Sequence, residues 1–405
     1  MTKIEIKFFN FIKKHLLFIS FIFITLLGLV LRYFGLGFKS GDFNVFLNLW
    51  WSQIEKSGLE VLAKQIGNYN IPYQIIIFIL TRLPIDALLG YKMLSVCFDV
   101  VLSLSSALLV FELTGRKKKF LALITYMITF CSLTVVLNSA FWAQCDSIYV
   151  SFIILAIYFL IKDKTIPSYI MLGVALAFKL QVIFILPFFF FYYVLTRKTS
   201  ILHFLIIPAV DIIMCLPALL FGRNPMDIFN VYHDQTNNVT QMYLNIPNFY
   251  AFMCDYNDAN MYSLLKIFSI FLTLTVLSIV LILMIHKGTD LTNRRMLIMT
   301  TVWTVFTTLM LLSSMHERYG YLLDILVIIY AIAYKKNIWV AVVCNLVSLR
   351  GYCFYLFNLY QVLDLKWSSL FYIATYVYVT FTFIKDILSE SNSKKINKTE
   401  KLIEA

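Results

Sequence analysis

An all-α, polytopic transmembrane bundle is the fold class this sequence predicts, and three observations predict it. The 405 residues are 60% hydrophobic and only 14% charged, with a mean hydropathy of +0.81, beyond any soluble globular composition. Apolar runs near the roughly 20 residues that cross a bilayer recur along the chain. Lys and Arg gather in short clusters between those runs, as the positive-inside rule expects. The net charge of +12 therefore reads as a topology signal, not a nucleic-acid surface, which would need a basic polar domain. The 25 Tyr and 37 Phe suit interfacial belts and lipid-facing packing.

The first run, Leu16 to Val30, is flanked by Arg32 and lacks a small-residue cleavage site, so it reads as a retained helix and not a signal peptide. With Lys3, Lys7, Lys13 and Lys14 placed inside, about twelve crossings satisfy length and charge together. They lie near 15-34, 91-113, 119-138, 145-161, 167-179, 181-195, 202-221, 263-286, 296-313, 319-334, 338-357 and 368-387. This assignment puts 22 of the 34 Lys and Arg inside and makes both termini cytoplasmic. A single transmembrane domain over 1-387 and a Lys-rich, disordered cytoplasmic tail over 388-405 follow.

Two outside regions are large, 35-90 and 222-262. In the first, Asn44, Asn48 and Ser52 recur every four residues, while Phe43, Phe46, Leu47, Trp50, Trp51 and Ile54 fill the other faces, an amphipathic juxtamembrane helix. Ile71 to Pro84 is too short to cross and bounded by prolines, so it is interfacial or re-entrant. The segment 167-195 lies between inside charges and reads as a shallow hairpin. At 1.5 Å per residue its ascending arm rises only about 20 Å, leaving Lys179 and Gln181 at a tip roughly 10 Å below the outer surface. A cation there demands a partner or water.

Asp42 opens the amphipathic helix, where N-capping is the simpler alternative to catalysis. Gln144 and Asp146 begin the fourth crossing within "FWAQCDSIY", again a capping position. His316, Glu317 and Arg318 form the tight turn "MHERYGY", and Arg318 with Lys179 offers positive charge suited to a phosphate. Asn70, in "GNYNIPY", is on the same side. Convergence of these separated residues on one outward polar site is the economical reading. Asp99, Asp211 and Asp324 are intramembrane acids that suit an ion or proton path, though for Asp99 and Asp211 helix-helix hydrogen bonds are the better reading. The seven Cys show no metal or redox spacing, and dispersed apolar thiols fit better than a Cys145–Cys254 bridge. No Walker, dinucleotide or HExxH pattern occurs, which removes support for ATP-driven and zinc-protease chemistry.

The set "SGDFNVFLNLW", "GNYNIPYQ", "FWAQCDSIYVSF", "FKLQVIFILP" and "MHERYGY", in this order over about residues 25 to 335, resembles bacterial relatives of the GPI mannosyltransferase II family, within the GT-C superfamily of membrane glycosyltransferases. The resemblance implies a GT-C fold and transfer of a hexose or related sugar from a polyprenyl-phosphate carrier to an extracytoplasmic glycan or glycolipid, with inversion. The resemblance matches Asp42 to the family's first-loop acid, and the residues of the site then suggest Asp42 as general base, Lys179 and Arg318 on the donor phosphate, and Asn44, Asn70, Gln144, Asp146, Gln181, His316 and Glu317 around the substrates. Such enzymes carry an acidic first outer loop, often with paired acids. Here Phe43 follows Asp42, so no metal ligand is assigned and a divalent Mg or Mn stays an open option. No nucleotide-sugar domain is apparent, so a carrier-loading synthase and a flippase are the implied partners. The Lys/Ile/Asn-rich composition points to a bacterial source and undecaprenyl phosphate, and so to cell-wall polysaccharide, teichoic-type polymer or glycolipid acceptors. A polysaccharide flippase is the main rival, but the repeats that would announce it are not evident. A non-catalytic scaffold would leave Lys179 without a reason.

Overall fold

The computed structural model describes residues 1–237, 239–253, 259–359 and 364–403. In chain order the helices are α1 (Lys3–Leu36), α2 (Asn48–Ser57), α3 (Ile71–Leu80), α4 (Ala87–Leu113), α5 (Lys119–Cys131), α6 (Leu133–Val136), α7 (Asp146–Ile161), α8 (Thr165–Phe178) and α9 (Leu186–Thr196). There follow α10 (Ile206–Leu220), α11 (Asp227–Asn237), α12 (Phe249–Met253), α13 (Ala259–Lys287), α14 (Arg294–Leu311), α15 (Tyr321–Tyr334), α16 (Ile338–Phe357) and α17 (Leu365–Ile403). Two-residue strands β1 (Tyr243–Leu244) and β2 (Met315–His316) pair in parallel. The all-α polytopic bundle expected from composition is the fold found.

Among the described residues six helices are long and apolar enough to cross a membrane, and a seventh crossing forms if α5 and Leu133–Phe141, bent by 46° at their junction, count as one. The other five expected crossings correspond to α7, α8, α9, α14 and α15, of 11 to 18 residues. Length and hydropathy identify spans only where a helix meets lipid on most of its surface. α14 illustrates the difference: Met296 to Leu311 are all buried. Its five threonines, Thr300, Thr301, Thr304, Thr307 and Thr308, satisfy their hydroxyls on carbonyls of their own helix. Polarity that would be costly against lipid is accommodated inside protein.

The first loop folds as the periodicity suggests. A π-helical turn, Phe43–Leu47, leads into α2, and Phe43, Leu47, Trp51 and Ile54 are buried in one stripe, while Phe46 is exposed. α3, with Pro72 in its first turn, spans only Ile71–Leu80. α8 and α9 form the expected hairpin. Lys179 breaks the chain with an extended backbone, a 3₁₀ turn follows over Leu180–Phe184, and Tyr169 packs edge-on against Phe189 at 5.6 Å. At the C-terminus, α17 continues to Ile403, through the Lys-rich tail that composition marks as disordered.

α8 and α10 meet at Gly173, where a Cβ would lie 2.6 Å from Val210 Cβ and 2.9 Å from the Ile207 carbonyl oxygen. Because a backbone atom is in the way, side-chain rotation alone gives no relief. Gly173→Ala is expected to cost about 1–3 kcal/mol, read as an earlier thermal melt in detergent. A melt equal to wild type would mean that α10 shifts freely.

Candidate functional site

Asp42 does not cap its helix. Its own backbone neighbour, the Phe43 N–H, is taken by Ser40 Oγ at 3.2 Å, and the Asp42 side chain makes no capping bond. The carboxylate instead accepts from three side chains distant in sequence: Trp142 Nε1 at 2.8 Å and Gln144 Nε2 at 2.8 Å, both on Oδ2, and the Tyr355 hydroxyl on Oδ1. Hydrogen bonds to an ionised acceptor are the strong ones. Tyr355 stacks on Trp142 with centroids 4.3 Å apart, which fixes both donors.

Gln144 joins the acid to a cation. Its side-chain oxygen accepts from the Arg318 guanidinium and from the Tyr69 hydroxyl at 3.0 Å. Arg318 lies 5.6 Å over the Trp142 ring. Burial works against the Arg318 charge, but Asp146, Tyr69 and Asp42 outweigh it and hold the guanidinium protonated well above its ordinary range. Burial, reinforced by Cys145, pushes the Tyr69 hydroxyl well above its usual value, so it stays an O–H donor.

Lys179 and Asp146 are paired with each other, Nζ to Oδ1 at 2.5 Å, both nearly buried. Asn138 Nδ2 donates to the second Asp146 oxygen at 2.7 Å. The Lys179 ammonium is 6.0 Å from the Tyr69 ring centroid. The sequence reading gave Lys179 to a phosphate and Asp146 to substrate hydroxyls. The structure has them neutralising one another, because a lone buried ammonium is costlier than an ion pair.

The remaining sequence-derived residues separate. His316, in β2, lies 3.8 Å from the Glu317 carboxylate and 5.2 Å from the Tyr319 ring, beside Arg318. Gln181 lines a cleft of about 190 Å³ with Ile183, Phe184, Lys266, Ile270, Leu312 and Tyr319. Asn70 is buried with other partners, donating to Leu176 O and Tyr232 Oη while Gln235 donates to it. Asn44 is exposed and outside the network. Asp99 pairs with Arg32 at 2.8 Å, and Asp211 accepts from Tyr232 at 2.9 Å, bonds between elements as expected for these two. Asp324 is fully buried in α15. Cys145 is a buried free thiol; Cys254 lies outside the described residues.

Four participants carried no sequence signal strong enough to select them: Tyr69, Asn138, Trp142 and Tyr355. Trp142 and Tyr69 stood inside quoted stretches, "FWAQCDSIY" and "GNYNIPY". Tyr355 sits in an aromatic-rich helix where nothing marks one ring from another. Both Asp42 oxygens face N–H or O–H donors, and among the described residues no three His, Cys, Asp or Glu gather. These residues do not fit an Mg or Mn ion, and no step is routed through one.

The arrangement is a half-buried acid linked to a half-buried cation by one buried amide, beside a largely apolar cleft, in a chain of membrane-length helices. Residues 69–314 match the model of glycosyltransferase family 87, well over half of the chain, including Tyr69, Gln144, Asp146 and Lys179 but ending short of Arg318 and beginning after Asp42. No curated protein matches the chain. The finer likeness to GPI mannosyltransferase II stays a resemblance. The chain belongs to glycosyltransferase family 87, a family of GT-C-type membrane glycosyltransferases.

Proposed function

We propose that the protein transfers a hexose or related sugar from a polyprenyl-phosphate donor to a glycan or glycolipid acceptor outside the cytoplasm, with inversion at the anomeric carbon. The observation that carries this reading is the join of Asp42 to Arg318 through Gln144. Asp42 takes the proton of the acceptor hydroxyl as its oxygen attacks the anomeric carbon. The bond from that carbon to the phosphate oxygen breaks, and the carrier phosphate leaves with the electron pair. Arg318 stabilises the charge that develops on the departing oxygen, where a guanidinium already held in place acts most strongly. Lys179, already matched by Asp146, holds the floor of the site and reaches phosphate only by exchanging partners. His316, Glu317 and Gln181 line the approach.

The cleft between the Leu180–Phe184 turn, α13 and Leu312–Tyr319 suits the first isoprene units, since its walls include Ile183, Phe184, Ile270 and Leu312 and its rim Lys266. The Lys and Arg distribution supports cytoplasmic termini in the cell membrane and a site on the opposite face. The donor then depends on a carrier-loading synthase and a flippase. The test is transfer by the purified full-length protein in vesicles, offered polyprenyl-phosphate sugars and nucleotide sugars side by side. Transfer from the lipid-linked donors alone is expected. Movement of the lipid-linked sugar across the vesicle without transfer would replace this reading with the flippase one.

A further inference from the structure

We infer that one face of α4 is the positioning spine of the site: Lys92, Ser95 and Asp99 hold, from behind, the two chain segments that bring Asp42 together with its donors. The inference rests on the proposed transfer chemistry only for its rate readout.

The three residues are spaced by three and four, one stripe along two helical turns, and all are fully buried. Lys92 Nζ donates to the Gly35 carbonyl at 2.7 Å, the Leu36 carbonyl at 3.2 Å and the Phe38 carbonyl. These are carbonyls at the end of α1, where a helix leaves acceptors unpaired and its dipole favours a cation. Two residues after Phe38, Ser40 Oγ donates to the Trp142 carbonyl at 3.0 Å and accepts the Phe43 N–H. Lys92 thus sets where α1 stops and where the chain turns into Asp42.

Ser95 offers its carbonyl to the Ser147 hydroxyl at 3.3 Å, at the start of α7 next to Asp146. Asp99 receives Arg32 Nε at 2.9 Å, Nη2 at 2.8 Å and the Ser139 hydroxyl at 2.5 Å. The same Arg32 donates to the Phe130 carbonyl at 2.9 Å. Arg32 and Asp99 therefore grip both arms of the 46° bend, and the second arm runs through Ser139 into Trp142 and Gln144. Two charged residues inside a spanning helix are costly, and apolar side chains would fill a bundle more cheaply. Their common direction, toward the two segments that meet at Asp42, gives them a purpose. None touches the reacting atoms, so each acts by placement.

The test uses the full-length protein in nanodiscs with Lys92→Met, Lys92→Arg, Asp99→Asn and Ser139→Ala, each read by amide hydrogen exchange and by transfer kinetics. Faster exchange is expected only in residues 36–44 for Lys92→Met and only in residues 137–146 for Asp99→Asn and Ser139→Ala. In the same proteins kcat is expected to fall, for Lys92→Met on the order of 10²-fold, with KM for the donor little changed, and Lys92→Arg restores both readouts. Ser139→Ala removes a single hydroxyl and keeps the test open should a charge change prevent folding. Wild-type exchange in both segments, or faster exchange across the whole chain with kcat and KM lost together, overturns the inference. A wild type that transfers nothing removes the transferase reading alone, and the exchange arm still decides this one.

Discussion

Asp42→Asn lowers kcat for sugar transfer by about 10²–10⁴-fold, the contribution of a positioned general base, while the protein still folds. Asparagine keeps the size of the side chain and one carbonyl oxygen for Trp142 or Gln144, so the cluster is held. What it lacks is a second acceptor able to take a proton. With its carbonyl oxygen in the place of Oδ2, its NH₂ faces the Tyr355 hydroxyl, which turns from donor to acceptor. The measurement is single-turnover transfer from a lipid-linked donor, with a thermal melt run on the same preparation. Transfer at the wild-type rate with an unchanged melt would remove Asp42 from the base role and leave it a structural acceptor for Trp142 and Tyr355.

Lys179→Met gives the second large effect, this time in stability. The substitution leaves the Asp146 carboxylate buried with Asn138 bonded to it and only the more distant Arg318 charge opposite it. Breaking a buried ion pair from one side costs about 3–5 kcal/mol. Removing both charges, Lys179→Met with Asp146→Leu, recovers most of that loss, because the desolvation penalty disappears along with the attraction. Transfer stays impaired in the double variant, since the floor beneath Tyr69 and Gln144 has changed. Thermal unfolding of the two singles and the double forms a cycle whose coupling term isolates the pair. Additive single effects would show that Lys179 and Asp146 do not depend on each other, and the floor assigned to them would have to be rebuilt.

The long apolar helices were legible because hydropathy is summed residue by residue, and α1, α4, α10, α13, α16 and α17 are each long and apolar enough to cross a membrane, with half or more of each apolar stretch not buried in the protein. The buried helices were less so. α14 and α15 are enclosed by protein, so neither their length nor their polarity answers to the bilayer. Lys179 was legible as a misfit, a cation in an apolar hairpin, and so was the clustering of Asp42, Asp146 and Arg318 at helix ends. Asn44 shows the limit of that logic. Its spacing put it on the polar stripe with Asn48 and Ser52, and a polar stripe faces solvent as readily as a site.

By itself the sequence determined the class of solvent, the helical content and the few positions where a charge has no business unless it is matched. It could not decide the matches. Which partner each carboxylate meets depends on segments 33 residues apart for Asp146 and the Lys179 cation and 313 apart for Asp42 and the Tyr355 hydroxyl. It depends also on a bend at Cys131–Leu133 whose angle no local propensity sets. Those pairings exist only once the whole bundle closes, because each is worth its desolvation cost only when every remaining oxygen and proton of the pair has also found a partner.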